Sequence, residues 1–414
     1  MKVELLSIGD ELLIGQVVNT NASYIAAQFS TIGLEVAYIS VCGDSHEAII
    51  EALHTAHHRA SLILVTGGLG PTKDDLTKEA ICDFFDDRLE ENQEALEHIK
   101  HLFETHIQTP IRPANLTQAL LPSKAIILKN GVGTASGMWF EGNKKITVFL
   151  PGVPREMQYI LKHELLERLA ALSSLSIRHR TLLTYGLGES AIAERIDAIA
   201  SDLPDGLSLA YLPNFGRVRL RLTAKGADLK KVEELLQVYG DRIADELSDI
   251  YFGDEEQGGL APQLLNLARQ KQLTVASCES CTGGRIASYL TATPGASSVF
   301  VSGIVAYQTM QKTQLLGIST KLIETYSVVS KEVAEEMALA SRLKTGASIA
   351  VSTTGNAGPE KGDSDADVGT VFIGISTEEH TFAHEFNFGN LRERVVEKAS
   401  LKALEMLYRE IAKK

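Results

Sequence analysis

The chain has 414 residues, a formal net charge of −13 and a 44% share of hydrophobic side chains. That length accommodates two or three domains, each large enough to bury its own core. The acidic balance argues against a nucleic-acid-binding surface as the main function, although a local basic patch is compatible with it.

The opening Met1-Lys2-Val3-Glu4-Leu5 carries an acid and starts a strand, which is not the pattern of a signal peptide. No apolar run approaches the length of a membrane span, so the expectation is a soluble cytoplasmic protein with no membrane partner. Residues 3 to 8 form an apolar run bounded by Gly9-Asp10, the pattern of a buried parallel strand. A helical pattern starts at Asn21 and stops near Gly33; a strand follows over 36–41, a helix over 46–59 and a strand over 61–65. This alternation predicts an α/β domain with a mostly parallel sheet.

Ligands of such sheets sit at the carboxyl ends of the strands. Three polar turns fall at that edge: Gly9-Asp10-Glu11, Gly43-Asp44 and Thr66-Gly67-Gly68-Leu69-Gly70-Pro71. The last can present successive backbone N–H groups to a phosphate. Asp74 and Asp75 follow at once, and paired carboxylates beside a phosphate nest suit a divalent cation that bridges to the phosphate. The plainer reading is a loop in which Asp75 caps the next helix. His54, His57 and His58, and likewise His98 and His101, share helical spacings but lack a third ligand nearby, so they are expected on solvated faces.

A loop over 130–137 precedes a strand at Trp139 and Phe140, and a second strand over 145–150 is closed by the elbow Pro151-Gly152-Val153-Pro154. From residue 176 the character changes. A strand over 178–187 turns at Gly188-Glu189-Ser190 into a helix. Val218, Leu220 and Leu222 then alternate with Arg217, Arg219 and Arg221, and a helix over 229–247 completes a small α+β module. The three arginines are expected in solvated ion pairs rather than on nucleic acid. Residues 251–259, with several acids and three glycines, read as a linker.

The last domain is organised around Ala276-Ser277-Cys278-Glu279-Ser280-Cys281-Thr282-Gly283-Gly284-Arg285. An apolar run leads in and a helical pattern leads out, so this is a strand–turn–helix corner. Such a corner exposes a side chain beside a helix N-terminus, where free N–H groups favour developing negative charge. Ser280 is the candidate nucleophile for acyl transfer; the bland alternative is that Ser and Thr merely cap the helix. Cys278 and Cys281 have a C-x-x-C spacing, but no second pair completes a zinc site, and together with Cys42 and Cys82 they show no secreted disulfide framework. Further strands are expected over 299–306, 347–352, 368–375 and 382–388, with a helix from Leu391 carrying Arg392 and Arg394. Ser280, Tyr307, Lys312 and Thr354 all follow strands, whose ends converge in an α/β sheet. A serine without a histidine partner can use a buried lysine of depressed pKa, with a tyrosine relaying the proton. The turn from Gly355 to Gly358 offers backbone donors to an oxyanion or phosphate, and Arg392 an anion clamp.

These motifs resemble the CinA (competence/damage-inducible protein) family over nearly the whole length. The first 170 residues are similar to a molybdopterin-binding-like parallel-sheet domain, on Gly9-Asp10-Glu11-Leu12-Leu13-Ile14-Gly15, Asn19-Thr20-Asn21, the run from Thr66 to Thr72 with Asp74-Asp75-Leu76-Thr77, and Leu150-Pro151-Gly152-Val153-Pro154-Arg155-Glu156-Met157. Residues 176–250 resemble the KH-like α+β middle domain. Residues 260–414 resemble the α/β nicotinamide mononucleotide amidohydrolase domain, on Glu279-Ser280-Cys281-Thr282-Gly283-Gly284, Tyr307, Lys312, Thr354-Gly355, Ala357-Gly358-Pro359 and Val368-Gly369-Thr370.

The resemblance implies hydrolysis of the carboxamide of nicotinamide mononucleotide to the acid and ammonia, without a cofactor. Ser280 would attack, Lys312 with Tyr307 would move the proton, Thr354 and Arg392 would support the site, and Thr282, Gly283, Gly284, Gly355 and Gly358 would contact substrate. It also implies a metal-dependent pyrophosphatase of ADP-ribose in the first domain. There Asp74 and Asp75 would face the metal, and Asp10, Glu11, Asn21, Asp44, Gly67, Gly68, Gly70, Thr72 and Thr77 the nucleotide. The chain departs from the family at Asn356, at Lys361 and at Asn390-Leu391, which bears on the anion pocket and on Arg392 against Arg394. The competing reading is a non-catalytic nucleotide- or pterin-binding regulator. A homodimer is expected from apolar strands such as that over 371–375, taken as an edge.

Overall fold

The computed structural model describes residues 1–70, 76–107, 109–173 and 175–414. Thr72, Asp74 and Asp75 lie outside the described residues. The chain divides into two compact units, one of residues 1–178 and 224–233, the other of residues 179–223 and 234–414.

In the first unit the expected strands form where apolar runs occur. These are β1 (Val3–Ile8), β2 (Val36–Cys42), β3 (Leu62–Thr66), a short ribbon of β4 (Leu89–Glu91) with β5 (Leu120–Pro122), then β6 (Ile126–Leu128), β7 (Gly137–Gly142) and β8 (Lys145–Leu150). The sheet order is β2-β1-β3-β8-β7-β6; the first four strands are mutually parallel, and the last two pairings, β8 with β7 and β7 with β6, are antiparallel. Alternate residues of β1 and β3 feed two cores. Leu6, Ile8, Ile63 and Val65 pack with Ile49 and Leu53 of the helix His46–Arg59. Val3, Leu5, Leu62 and Leu64 pack with Ile25 and Phe29 of the helix Thr20–Thr31. Both faces being covered is why β1 and β3 are buried throughout.

Two of the histidines expected on solvated faces are packed instead. His57 bonds Thr147 Oγ1 (2.8 Å) and lies edge-on to Phe84, and burial pushes its pKa down to about 4. His98 bonds Asn130 O (2.7 Å) and so ties down the 130–137 loop. His58 and His101 are exposed.

A four-stranded sheet in the order β10-β11-β9-β12 follows, from β9 (Ser176–Tyr185), β10 (Leu207–Asn214), β11 (Arg217–Gly226) and β12 (Tyr251–Asp254). In β11, Val218, Leu220 and Leu222 are buried, and Arg219 pairs with Glu255 (2.9 Å). The expected linker is corrected here, because its first four residues are the strand β12. It pairs antiparallel with β9, Tyr251 opposite Thr184 and Asp254 opposite Leu182. Phe252 is buried against Tyr185 and Tyr408, and Arg180 holds Asp254 (2.9 Å), so acids that suggested a solvated linker are paired.

The last sheet has the order β14-β13-β15-β16-β17, from β13 (Val275–Glu279), β14 (Phe300–Val305), β15 (Ile349–Gly355), β16 (Thr370–Ser376) and β17 (Thr381–Asn387). β13 is parallel to both neighbours, while β16 and β17 are antiparallel additions. Helices Leu260–Gln270, Arg285–Thr291 and Arg392–Lys413 cover one face through Leu264, Leu290, Leu404 and Leu407; Lys331–Thr345 covers the other through Val333 and Met337. The strand taken as an edge, β16, is interior: β15 and β17 pair both its sides, so it offers no free ladder to a second copy. No helix among the described residues is long and apolar enough to cross a membrane.

Candidate active site

β13 is buried along its whole length and delivers Ser280 one residue beyond its end. The parallel neighbours end at the same level. Ser280 N donates to Thr353 O (3.0 Å), and Ala306 N donates to Glu279 O (2.9 Å). Three strand ends thus converge as the α/β rule requires. Beyond β14 the chain enters the helix Thr309–Leu316, whose fourth residue, Lys312, sends its side chain back to the serine.

Lys312 Nζ lies 2.9 Å from Ser280 Oγ and 3.0 Å from Ala306 O, and the side chain is 1% exposed. Desolvation holds the amine below the ordinary lysine range, against the opposing pull of Asp363. Ser280 Oγ also approaches Tyr307 O (3.4 Å). A cleft of about 260 Å³ opens over the pair, lined among others by Tyr307, Thr309, Asn356, Gly358, Asp363 and Arg392.

The remaining expected residues fall into three groups. Arg392, first residue of its helix, reaches across the cleft mouth, donating to Gly358 O (2.7 Å) and to the Tyr307 hydroxyl (2.6 Å). Tyr307 is 53% exposed and its hydroxyl is engaged by Arg392, whereas the Ser280–Lys312 contact is direct. Arg394 does not line this cleft. Gly355 and Gly358 do, and so does Thr354, although its hydroxyl donates to Val328 O (2.8 Å). Thr282, Gly283 and Gly284 stand behind the corner and build it. Thr282 is buried, with its hydroxyl bonded to Glu279 and Thr353; Gly283 N donates to Ser280 O; Gly284 N donates to Glu279.

The residue that composition did not single out is Glu279. Its buried carboxylate accepts from Thr282 Oγ1 (2.8 Å) and from the N–H groups of Gly284 (3.0 Å), Ile286 (3.0 Å) and Ala287 (2.9 Å). The helix N-terminus expected to serve the nucleophile is therefore occupied by the neighbouring acid, which fixes the corner instead. An acid ending a buried strand just before Gly-Gly and a helix was the available signal. Asn356 acts similarly on the cleft wall: Nδ2 donates to Ala366 O (2.7 Å) and Oδ1 accepts from Gly362 N (3.4 Å). Lys361 folds onto Asp367 (3.1 Å) in the same loop. Cys278 and Cys281 enter separate apolar clusters on opposite faces of the sheet, so the C-x-x-C spacing does not bring the two thiols to one face, and burial pushes each thiol up to about 12.

In the first unit, the turns at the carboxyl ends of β1, β2 and β3 enclose a pocket of about 330 Å³. Glu11, Asn21, Asp44, Gly67 and Gly68 line it; Asp10, Gly70 and Thr77 do not. Asp10 and Asp44 brace each other, Asp10 N donating to Asp44 Oδ2 (2.9 Å). Gly68 has φ +65°, and a Cβ there would lie 1.8 Å from Thr77 Oγ1, so backbone alone fits. Asn21 Nδ2 donates to Gly152 O (2.8 Å), while its Oδ1 is buried with no hydrogen-bond partner among the described residues. Oxygen donors of this kind fit a hard divalent cation. No cluster of three His, Cys, Asp or Glu side chains suited to a metal occurs among the described residues.

Three family models match successive parts of the chain. Residues 4–171 match the probable molybdopterin binding domain, residues 179–253 the damage-inducible protein CinA KH domain, and residues 258–411 the CinA C-terminal domain. A CinA-like protein of Flavobacterium psychrophilum is 44% identical over 414 residues, spanning 100% of this chain and 99% of the relative. A CinA-like protein of Cytophaga hutchinsonii is 36% identical over 410 residues, spanning 99% and 97%. Among solved structures, the protein CinA of Thermoplasma acidophilum, described as of unknown function, is 32% identical over 41% of this chain and 97% of its own, with a TM-score of 0.38.

Proposed function

Because the chain belongs to the CinA family, we propose that its C-terminal domain hydrolyses the carboxamide of nicotinamide mononucleotide, giving nicotinic acid mononucleotide and ammonia. The observation that carries this reading is the 2.9 Å contact between Ser280 Oγ and the buried amine of Lys312. Desolvation favours the neutral amine, which can accept the serine proton as a charged one cannot. Ser280 Oγ attacks the amide carbon as its proton passes to Lys312. The resulting ammonium returns that proton to the departing nitrogen, which leaves as ammonia. Water then adds to the acyl-serine, its proton going to Lys312 and onward to the serine oxygen as the acid departs. Ser280 N is already bonded to Thr353 O, so the oxyanion donors of this scheme lie elsewhere in the cleft. Arg392, steadied by Gly358 O and the Tyr307 hydroxyl, supplies the positive charge for the phosphate of the substrate. The test is product analysis with nicotinamide mononucleotide. Equimolar acid and ammonia are expected, with neither from Ser280→Ala; binding without turnover would favour a regulatory protein instead.

The same proposal gives the first unit a pyrophosphatase activity on ADP-ribose. The close backbone approach at Gly68 and the carboxylates of Glu11 and Asp44 support it. A bound divalent ion would neutralise phosphate oxygens there, with Asp74 and Asp75 as further ligands of the proposal. Metal-dependent release of AMP that disappears in Asp75→Ala is expected; unchanged release in that variant would contradict it.

A further inference from the structure

The second unit contains a larger groove, of about 710 Å³, that the activities above do not use. One wall is the tip of the β10–β11 hairpin, Asn214 to Arg217; the other is the helix Arg392–Lys413 with the end of β17. The two walls are in contact, since a Cβ on Gly216 would lie 3.2 Å from Leu401 Cδ1 and 3.4 Å from Lys398 Cγ.

The charges of this groove are unevenly matched. Arg217, Arg394, Lys398 and Lys402 line it against Glu189 and Glu405. Glu405 is buried and already answered twice, by Lys402 (2.9 Å) and by Arg409 (2.9 Å). Arg217 lies on the Tyr185 hydroxyl. Arg394 and Lys398 have no acidic partner within 4.0 Å among the described residues, although they stand four apart on one helix, where like charges repel. Burial and Arg394 together hold the Lys398 amine below its ordinary range, as expected of a cation short of a counter-charge. Two uncompensated cations in a chain of net charge −13 mark a place for one anion.

The hairpin tip adds an aromatic face. Phe215 is 41% exposed, carried on a turn whose N–H donates to Asn214 Oδ1 (2.7 Å). On the opposite wall Phe386 and Phe388 stack on each other, with the Lys402 amine over the Phe386 ring. Open aromatic faces beside paired cations are how proteins hold a base and a phosphate together. The volume lies within the range of small-ligand sites.

We propose that this groove is a mononucleotide-binding site, with the phosphate held between Arg394 and Lys398 and the base laid on Phe215. A phosphomonoester carries about −1.5 to −2 charges at neutral pH, which matches two cations. A nucleic-acid strand needs a longer basic track, and the neighbouring cations that would extend one, Lys402, Arg409 and Arg219, are tied to Glu405 and Glu255. The inference stands independently of the amidohydrolase reading.

The test is photolabelling of the full chain with 8-azidoadenosine 5′-monophosphate, followed by peptide mapping. Label is expected within residues 211–218 or 386–402, protected by AMP and not by adenosine. In the double variant Arg394→Gln, Lys398→Gln, labelling of these peptides should need roughly tenfold or more ligand, from the loss of two charge-assisted contacts. Phe215→Ala changes only an exposed hairpin tip, so the fold survives in it, and several-fold weaker labelling is expected there too. Label on other peptides alone, undiminished label in the double variant with its circular dichroism intact, or unchanged label in Phe215→Ala overturns the proposal. So does displacement of the label by a 12-nucleotide single strand at roughly tenfold lower concentration than AMP, which would assign the groove to nucleic acid.

Discussion

Replacing Lys312 by methionine separates what the lysine does for chemistry from what it does for stability. Methionine keeps the unbranched stem and removes the amine, so Ser280 Oγ loses its 2.9 Å partner and Ala306 O its 3.0 Å donor. Losing a general base costs about 10²–10⁴ in rate, or about 3–5 kcal/mol of barrier. The stability terms oppose each other. An unanswered carbonyl costs about 1–3 kcal/mol. In the other direction, each unit by which burial lowers the amine below its unfolded value disfavours the native state by about 1.4 kcal/mol. That penalty is full below the folded pKa, because the unfolded chain then gains most from protonation, and it vanishes as pH rises through about 10.5. At neutral pH the two terms oppose each other, so the melting shift of the variant should be smaller than the loss of the carbonyl's donor alone would give, while the proposed amidase rate collapses. Its stability relative to the parent should fall as pH approaches 10.5. In the parent, kcat/KM should rise with unit slope through a pKa below the ordinary lysine range. The assays are ammonia release across pH and thermal melts of both proteins. A well-folded variant active within about tenfold of the parent, or a parent profile rising only near 10.5, would refute the reasoning.

Three further outcomes follow from the same geometry. Glu279→Ala leaves the N–H groups of Gly284, Ile286 and Ala287 unanswered and takes from the Thr282 hydroxyl one of its two partners, and denaturant titration should show a loss of about 3 kcal/mol or more; a loss below about 1 kcal/mol would show that the carboxylate does not fix the corner. Arg392→Ala should raise KM for the mononucleotide about tenfold or more with a smaller change in kcat, and should barely affect nicotinamide riboside, which has no phosphate; equal losses on both substrates would remove the clamp. Gly68→Ala forces a Cβ against Thr77 and into positive φ, so a melting shift equivalent to about 1–3 kcal/mol is expected, with loss of AMP release from ADP-ribose and unchanged ammonia release.

Where periodicity governed, the sequence was a good guide. β1, β8 and the helix His46–Arg59 have the bounds that apolar spacing predicts, because each is set by burial on a sheet or helix face. β12 was not legible: Tyr251 to Asp254 open a stretch whose later residues are acids and glycines, and they become a strand only because β9 and Arg180 are there to meet them. Likewise the reach of Lys312 to Ser280 follows from strand ends that alternation makes parallel, whereas the diversion of Thr354 to Val328 O depends on a rotamer. The ownership of the helix N-terminus by Glu279 also escaped the pattern, since the string Glu-Ser gives both residues equal access to it. The edge assignment of β16 failed for a related reason: composition does not reveal that a further antiparallel strand covers it.

The central step of the proposed amide hydrolysis is an acyl bond forming at Ser280 under the influence of Lys312. Rapid-quench mass spectrometry of the full chain mixed with nicotinamide mononucleotide tests this most directly. A transient nicotinyl-nucleotide adduct mapping to Ser280, absent in Ser280→Ala and formed far more slowly in Lys312→Met, is the predicted result. Ammonia released at the parent rate by Ser280→Ala, or an adduct mapping to another side chain, would contradict it.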